Sequence, residues 1–361
     1  MVISGQATTT GTQQYQQRHQ TDCASKHFRP FNNLIVSSLG VGTYLGKPDD
    51  TTDTLVTNGI IQAVQEGINL IDTAINYRFM RAEKCVKNAL AQLIEEGISR
   101  EELIICTKGG FVPHPEREKW FMQEYVNNPK FSVEANDLVS QSHCLHPEYL
   151  QDQLYRSLNH LNLETVDIYY IHNPENQLTQ VSPQTLYQRL EKAFAVMEGQ
   201  VKAGKIRAYG LATWNGFRVP PNHPNHLSLA KIQQLAQQVA GEHPSHFQFV
   251  QMPINAAMLE ALVKPTQKVD SELIPALEAA SKLGITVIAS ASIGQAQAIG
   301  KIPLQWQATL SQQELTPAQQ ALQFTRSIAG ISTALVGMKT PAHVADNLAL
   351  THINPVEIKG F

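Results

Sequence analysis

The chain reads as an α/β protein, a closed (β/α)8 (TIM) barrel with an N-terminal extension and long loops after the third and seventh strands. Three observations predict it. From residue 37 onward, short apolar and often β-branched runs alternate with longer stretches of helical period, the signature of repeated βα units. The runs number eight. Most are apolar on both faces, as strands of a parallel sheet covered by helices must be. An open doubly wound sheet is the alternative that this pattern leaves.

In order, the strands are "SLGVGTY" at 38–44, "INLIDTA" at 68–74, "LIICTK" at 103–108, "VDIYYIH" at 166–172, "IRAYGLAT" at 206–213, "FQFVQMP" at 247–253, "ITVIAS" at 285–290 and "STALVG" at 332–337. Leu150, Leu154, Leu158 and Leu161 make one helical stripe, and Leu186, Leu190, Phe194, Met197 and Val201 another, stopped by Gly204. Residues 1–30 form a polar N-terminal extension, of which the first ~25 are expected to be flexible or loosely packed on the domain, with the barrel over 31–361. Two connections are too long to be turns, Gly109 to His146 and Ala291 to Glu314. Both follow the C-terminal end of a strand, where such loops serve as lids or binding loops, or are decoration. The first carries Phe111, Trp120, Phe121, Tyr125 and Phe131 in a chain that is 7% aromatic, which predicts that part of it covers a substrate pocket.

Bulk properties narrow the partners. Of 361 residues 42% are hydrophobic and 16% charged, enough for one large domain, and the formal charge of -3 provides no broad basic field. Nucleic acid and acidic membrane surfaces are therefore poor partners, and a small molecule suits better. Cys23, Cys85, Cys106 and Cys144 lie too far apart for a zinc ribbon or a disulfide scaffold, which points to a reducing, cytoplasmic setting. No apolar stretch resembles a signal peptide or reaches the ~20 residues of a membrane span.

If the strands are parallel barrel strands, Asp72, Lys108 and His172 stand at or just past three C-terminal strand ends, and Tyr77 lies in the loop after Asp72. Singly, each is ordinary: a helix cap, a surface charge, a satisfied structural histidine. Together they suit proton transfer to oxygen. A tyrosine of pKa ~10 is a sluggish acid, but an ammonium within ~4–6 Å lowers that value, and Lys108 is placed to do so. A buried lysine needs a carboxylate to stay ionised, which Asp72 supplies. Tyr77 can then protonate a developing oxyanion while neutral His172 donates a hydrogen bond to the same oxygen. No serine elbow, cysteine or metal cluster offers a nucleophile; a hydride from a bound nicotinamide would fit.

With "GINLIDTAINYR", "ICTK", "VDIYYIHNP", "VKAGKIRAYGLAT" and "VGMKTPAHVADNL" in this order, the chain from about Leu39 to Leu350 resembles the aldo-keto reductases, (β/α)8 barrels that use NADP(H). The resemblance implies reduction of an aldehyde or ketone, or oxidation of the alcohol, with Asp72, Tyr77, Lys108 and His172 as the catalytic tetrad and Tyr77 as general acid. It implies that Thr213 and Gln251 hold the nicotinamide, that Gly42, Thr43 and Tyr44 line the pocket mouth, and that Tyr44 and His172 face the substrate. Ser292, Ile293 and Gly294 would follow the pyrophosphate. Ala212 and Thr213 stand where many members have Ser-Asn, and Ser292 stands where a proline is usual. In the last connection Lys339, Thr340, His343 and Asn347 would hold the phosphate that separates NADP(H) from NAD(H). His343 takes the place of the usual arginine, so the expected NADP(H) preference is moderate and NAD(H) use is possible.

Other signals are weaker. "GVGTYLG" lacks the spacing and the βαβ frame of a dinucleotide motif. "SHCLH" places His143, Cys144 and His146 like half of a zinc site, but without a second cluster they read as structural. Cys106 reads as packing. A cofactor-binding regulatory or scaffold barrel with little turnover is the rival function, and a metal-dependent barrel isomerase or hydrolase a more distant one.

Overall fold

The computed structural model describes residues 2–302, 304–307, 309–310 and 313–358. Position 1 of the extension, four positions of the predicted 291–314 loop and the last three of the predicted barrel domain lie outside the described residues. Twelve strands occur among the described residues: β1 (Phe28–Phe31), β2 (Leu34–Ser37), β3 (Leu39–Gly42), β4 (Leu70–Asp72), β5 (Ile104–Gly109), β6 (Val166–His172), β7 (Ile206–Ala212), β8 (Phe247–Pro253), β9 (Pro265–Val269), β10 (Glu272–Pro275), β11 (Thr286–Ser290) and β12 (Ile331–Gly337). The strands β3 to β8, β11 and β12 close into a parallel barrel, with β11 against β8 and β12 against β3. All eight predicted strands are barrel strands.

Alternation sorts their side chains. Along β6 every residue is buried. Ile168 and Tyr170 join Leu70, Ile104, Cys106, Phe249, Ile288 and Leu335 in the barrel interior, whereas Tyr169 and Ile171 belong to the larger core between sheet and helices. The predicted stripes form the inner faces of the helices Pro147–Leu161 and Pro183–Lys202. The second starts at Ser182, whose hydroxyl accepts from the Thr185 N–H, and gives way to Gly204 in the left-handed region (φ 69°).

The N-terminal extension is not loose, contrary to the expectation from its polarity. It forms the helix Thr9–Arg18, capped by Thr8 and anchored by a fully buried Tyr15 whose hydroxyl donates to the Val64 carbonyl. Arg18 pairs with Glu102 at 3.0 Å. A Cβ on Gly11 would lie 2.3 Å from the Glu101 carbonyl oxygen, so this helix approaches the base closer than any other residue type would allow. The antiparallel hairpin β1–β2 closes the N-terminal end of the barrel, with the Phe31 ring 4.9 Å from that of Phe249.

The 109–146 connection has its own structure: a helix Arg117–Phe121 running into a π-helical turn Met122–Val126, and a 3-10 turn Ala135–Asp137. Phe121 and Tyr125 are fully buried against Tyr149 of the helix Pro147–Leu161, with centroids at 5.5 and 4.8 Å. Most of the aromatic density is thus a fastening for the loop and not a pocket cover. Phe111 is the exception, edge-on to His172 at 5.0 Å.

Candidate active site

In three neighbouring strands the position two residues beyond an inward apolar side chain is polar. Leu70 leads to Asp72, Cys106 to Lys108, and Tyr170 to His172; on β8, Phe249 leads to Gln251. Because i and i+2 share a face, these four side chains form a polar layer on top of the apolar interior, at the C-terminal mouth. Lys108 is fully buried and Asp72 3% exposed.

The Lys108 ammonium meets Asp72 Oδ1 at 2.5 Å and the Thr73 carbonyl at 2.9 Å, and Gln251 Nε2 donates to Asp72 Oδ2 at 2.8 Å. Burial alone would lower the lysine's pKa, but the Asp72 charge outweighs it and holds the ammonium above its ordinary value. Burial likewise raises Asp72, against the pull of Lys108 and the two hydrogen bonds. With two acceptors on the ammonium, the pair is ionised.

Tyr77 is half-buried, its ring 5.0 Å from Lys108 Nζ, 5.9 Å from the His172 ring and 5.0 Å from that of Tyr44. Its pKa departs from expectation: burial pushes it above 10, and the lowering by Lys108 only partly offsets that. The phenol is therefore protonated across the neutral range. The loop that presents it holds Arg78, Phe79 and Met80 in the left-handed region (φ 48, 54 and 68°) without a glycine, a conformation that costs about 1–2 kcal/mol per residue. Arg78, itself buried, ties that loop down through an ion pair with the half-buried Asp53 and a 3.1 Å contact with Cys85 Sγ. Nothing in the sequence marked Arg78, because its partner lies on the preceding helix.

His172 is 9% exposed, and its pKa is far below 6.5, through burial first and then the positive charge of Lys108. It is a neutral imidazole, as expected, and its Nδ1 is buried without a protein partner.

The residues assigned to a cofactor lie around the same mouth. Gly42 pairs with Asp72 in register, Thr43 Oγ1 donates to the Asp72 carbonyl at 3.1 Å, and Tyr44 is 56% exposed on the rim. The Thr213 N–H bonds the Gln251 carbonyl at 2.8 Å, while its buried hydroxyl has no partner. Buried Glu175, which the sequence did not mark, accepts from the N–H groups of Trp214 and Asn215 at 2.6 and 2.9 Å and so shapes the segment after Thr213. Ser292 is buried and donates to the Ala289 carbonyl at 3.3 Å; Ile293 is half-buried and Gly294 has φ 54°. Lys339 and Thr340 are half-buried at the start of the helix Pro341–Leu348, where Thr340 makes no side-chain cap. His343 is exposed, and the Asn347 amide turns back to the Gly337 carbonyl at 3.4 Å. Among the described residues no group of three or more His, Cys, Asp or Glu side chains is placed to hold a metal ion.

Comparison with known proteins agrees with this architecture. An NADH-specific methylglyoxal reductase of Escherichia coli (strain K12) is 30% identical over 185 residues, 50% of this chain and 49% of that protein. The protein tas of the same organism is 24% identical over 357 residues, covering 91% of this chain and 93% of its own. A solved aldo-keto reductase from Klebsiella pneumoniae, in complex with NADPH, shares the fold with a TM-score of 0.60 at 17% identity, over 93% of this chain and 92% of that one. The model of the aldo/keto reductase family matches residues 38–359, and the chain belongs to that family.

Proposed function

We propose that the chain reduces an aldehyde or ketone, or oxidises the corresponding alcohol, with NADPH as the preferred and NADH as a possible cofactor. The observation that carries this reading is the polar layer itself: an ionised Lys108–Asp72 pair beneath a protonated Tyr77, with a neutral imidazole at His172 beside it.

The mouth fits a polar ligand. The buried Thr213 hydroxyl and His172 Nδ1 lack partners in the protein, a state that costs free energy unless a ligand or water completes it. Thr213 and Gln251 would hold the carboxamide end of the cofactor, and the backbone of Ser292, Ile293 and Gly294 its phosphates. Lys339, with Thr340 at an uncapped helix start, would favour the extra phosphate of NADPH, with His343 and Asn347 beside them. A nicotinamide bound there would supply the hydride.

The remaining chemistry belongs to the chain. Tyr77 and His172 donate hydrogen bonds to the carbonyl oxygen and polarise it. As charge grows on that oxygen, Tyr77 gives up its proton, and the phenolate left behind is stabilised by the Lys108 ammonium, which Asp72 keeps charged. Burial, by raising the phenol's pKa, keeps it in the form that can donate. Tyr44 and Phe111 border the space where the substrate's carbon skeleton would lie. All four cysteines are buried free thiols, which accords with a cytoplasmic setting.

The test is direct. The purified protein, given NADPH or NADH with a panel of aldehydes and ketones, is expected to consume cofactor with at least one class of carbonyl. Tight cofactor binding with no consumption across the panel would contradict the proposal in favour of a binding barrel.

A further inference from the structure

His143 lies in the "SHCLH" stretch that the function above leaves unused. It is fully buried, and both ring nitrogens are engaged: Nε2 lies 2.7 Å from the backbone carbonyl oxygen of His172, and Nδ1 lies 2.8 Å from Nε2 of Gln177. We propose that His143 is a positioning residue for His172, a brace whose direction is set by Gln177 and Arg189; the inference rests on the function proposed above.

The direction follows from donor inventory. A guanidinium has donors only, so the Arg189 contact to Gln177 Oε1 assigns that oxygen as acceptor and turns the Gln177 NH2 group toward His143. An NH2 group can only donate, so His143 Nδ1 carries the lone pair and Nε2 carries the proton. That proton points at the His172 carbonyl. A second bond, from Gln177 Nε2 to the His143 carbonyl at 3.2 Å, fixes the amide further. Burial pushes the His143 pKa down to about 4, so the neutral tautomer persists through the working range.

Two further features converge on the same contact. Gly110, at φ 131°, leaves room for it: a Cβ there would lie 2.9 Å from His143 Nε2 and 3.3 Å from the His172 carbonyl oxygen. The Phe111 ring stands edge-on to both imidazoles, 4.9 Å from His143 and 5.0 Å from His172. His172 needs such support because its own Nδ1 has no partner to orient the ring. Its backbone carbonyl meets His143 directly, and the Phe111 ring that flanks its imidazole also flanks that of His143. Misplacement of a reacting group by about 1 Å can cost roughly a hundredfold in rate.

The experiment compares His143→Leu with His143→Gln, whose amide can again donate to the His172 carbonyl. The expected result is a fall of roughly ten- to a hundredfold in kcat for the leucine variant, with cofactor Kd unchanged and with kcat largely restored by glutamine. Equal kcat in parent and His143→Leu overturns the brace, as does an equal loss in both variants. Should His143→Leu fail to fold, Gln177→Leu frees the tautomer while leaving His143 in place; kcat is expected to fall, and an unchanged value overturns the proposal. Nitrogen NMR of the labelled histidine reads the brace without turnover: Nε2–H is expected, and Nδ1–H overturns it. A parent without carbonyl turnover would contradict the function alone, since the tautomer is read independently.

Discussion

At the base of the barrel Arg100 and Asp167 meet at 2.7 Å, at the mouth Lys108 and Asp72 meet at 2.5 Å, and all four side chains are nearly excluded from water. The partners around them differ. Asp167 also accepts from the backbone N–H groups of Ala7 and Ile105, and Arg100 donates to the carbonyls of Leu103 and Thr165, so the lower pair fastens three stretches of main chain. Asp72 accepts from two side chains, Lys108 and Gln251, and beside this upper pair stands the His172 imidazole, whose Nδ1 has no partner in the protein. An ion pair closed by backbone is architecture; one that leaves neighbours unsatisfied is equipped for a ligand. The base is not perfectly closed, since Arg100 Nε also lacks a partner.

The contrast breaks if the two pairs respond alike to substitution. Lys108→Met is expected to do the most damage, stranding Asp72 in the interior at about 3–5 kcal/mol of stability and lowering kcat roughly a hundredfold or more. The double variant with Asp72→Asn should regain the stability, read by urea unfolding, but not the rate; recovery of both would make the upper pair structural. Asp167→Ala should cost a similar ~3–5 kcal/mol, yet the molecules still folded should keep the parent's kcat and cofactor Kd. A specific loss of kcat there would erase the distinction between the ends.

Acid sharpens the comparison. His27, which bonds Gly67 and Ser38 near the base, and His143, near the mouth, are both depressed by burial, to about 3 and about 4. The unfolded chain binds their protons first. Stability is therefore full above pH ~6.5 and declines as pH falls through the folded values, His143 contributing on the order of 3 kcal/mol. Urea midpoints measured against pH should show this slope, and His143→Leu should flatten its upper part. The smallest effect is at the cofactor's far end: Lys339→Ala should reduce the NADPH over NADH preference by roughly ten- to a hundredfold, the worth of one charged hydrogen bond. An unchanged ratio of kcat/KM for the two cofactors would remove Lys339 from that role.

Where period and polarity coincide, the fold was legible from the sequence. "VDIYYIH" and "FQFVQMP" match β6 and β8 residue for residue, because continuous apolar runs between helices have few other uses. The polar layer was legible for the same reason: Asp72, Lys108 and His172 each end such a run. The N-terminal helix was not, since it docks through one tyrosine and hydrogen bonds and carries no apolar stripe. The hairpins β1–β2 and β9–β10 were missed as well; their turns use Asn32, Asp270 and Ser271 at positive φ, where no glycine announces the bend. The brace at His143 depends on Gln177, 34 residues away, and a long-range contact leaves no local mark. The direction of the Tyr77 shift was misjudged because charge is visible in a sequence and depth of burial is not.

Whether Tyr77 hands its proton to the substrate oxygen while the pair beneath serves it is tested most directly by the rate of hydride transfer in a single turnover, measured with Tyr77→Phe beside an independent measurement of cofactor affinity. A loss of ~10²–10⁴-fold in rate with cofactor affinity unchanged is the predicted result, and a phenylalanine variant that transfers hydride at the parent's rate would contradict it.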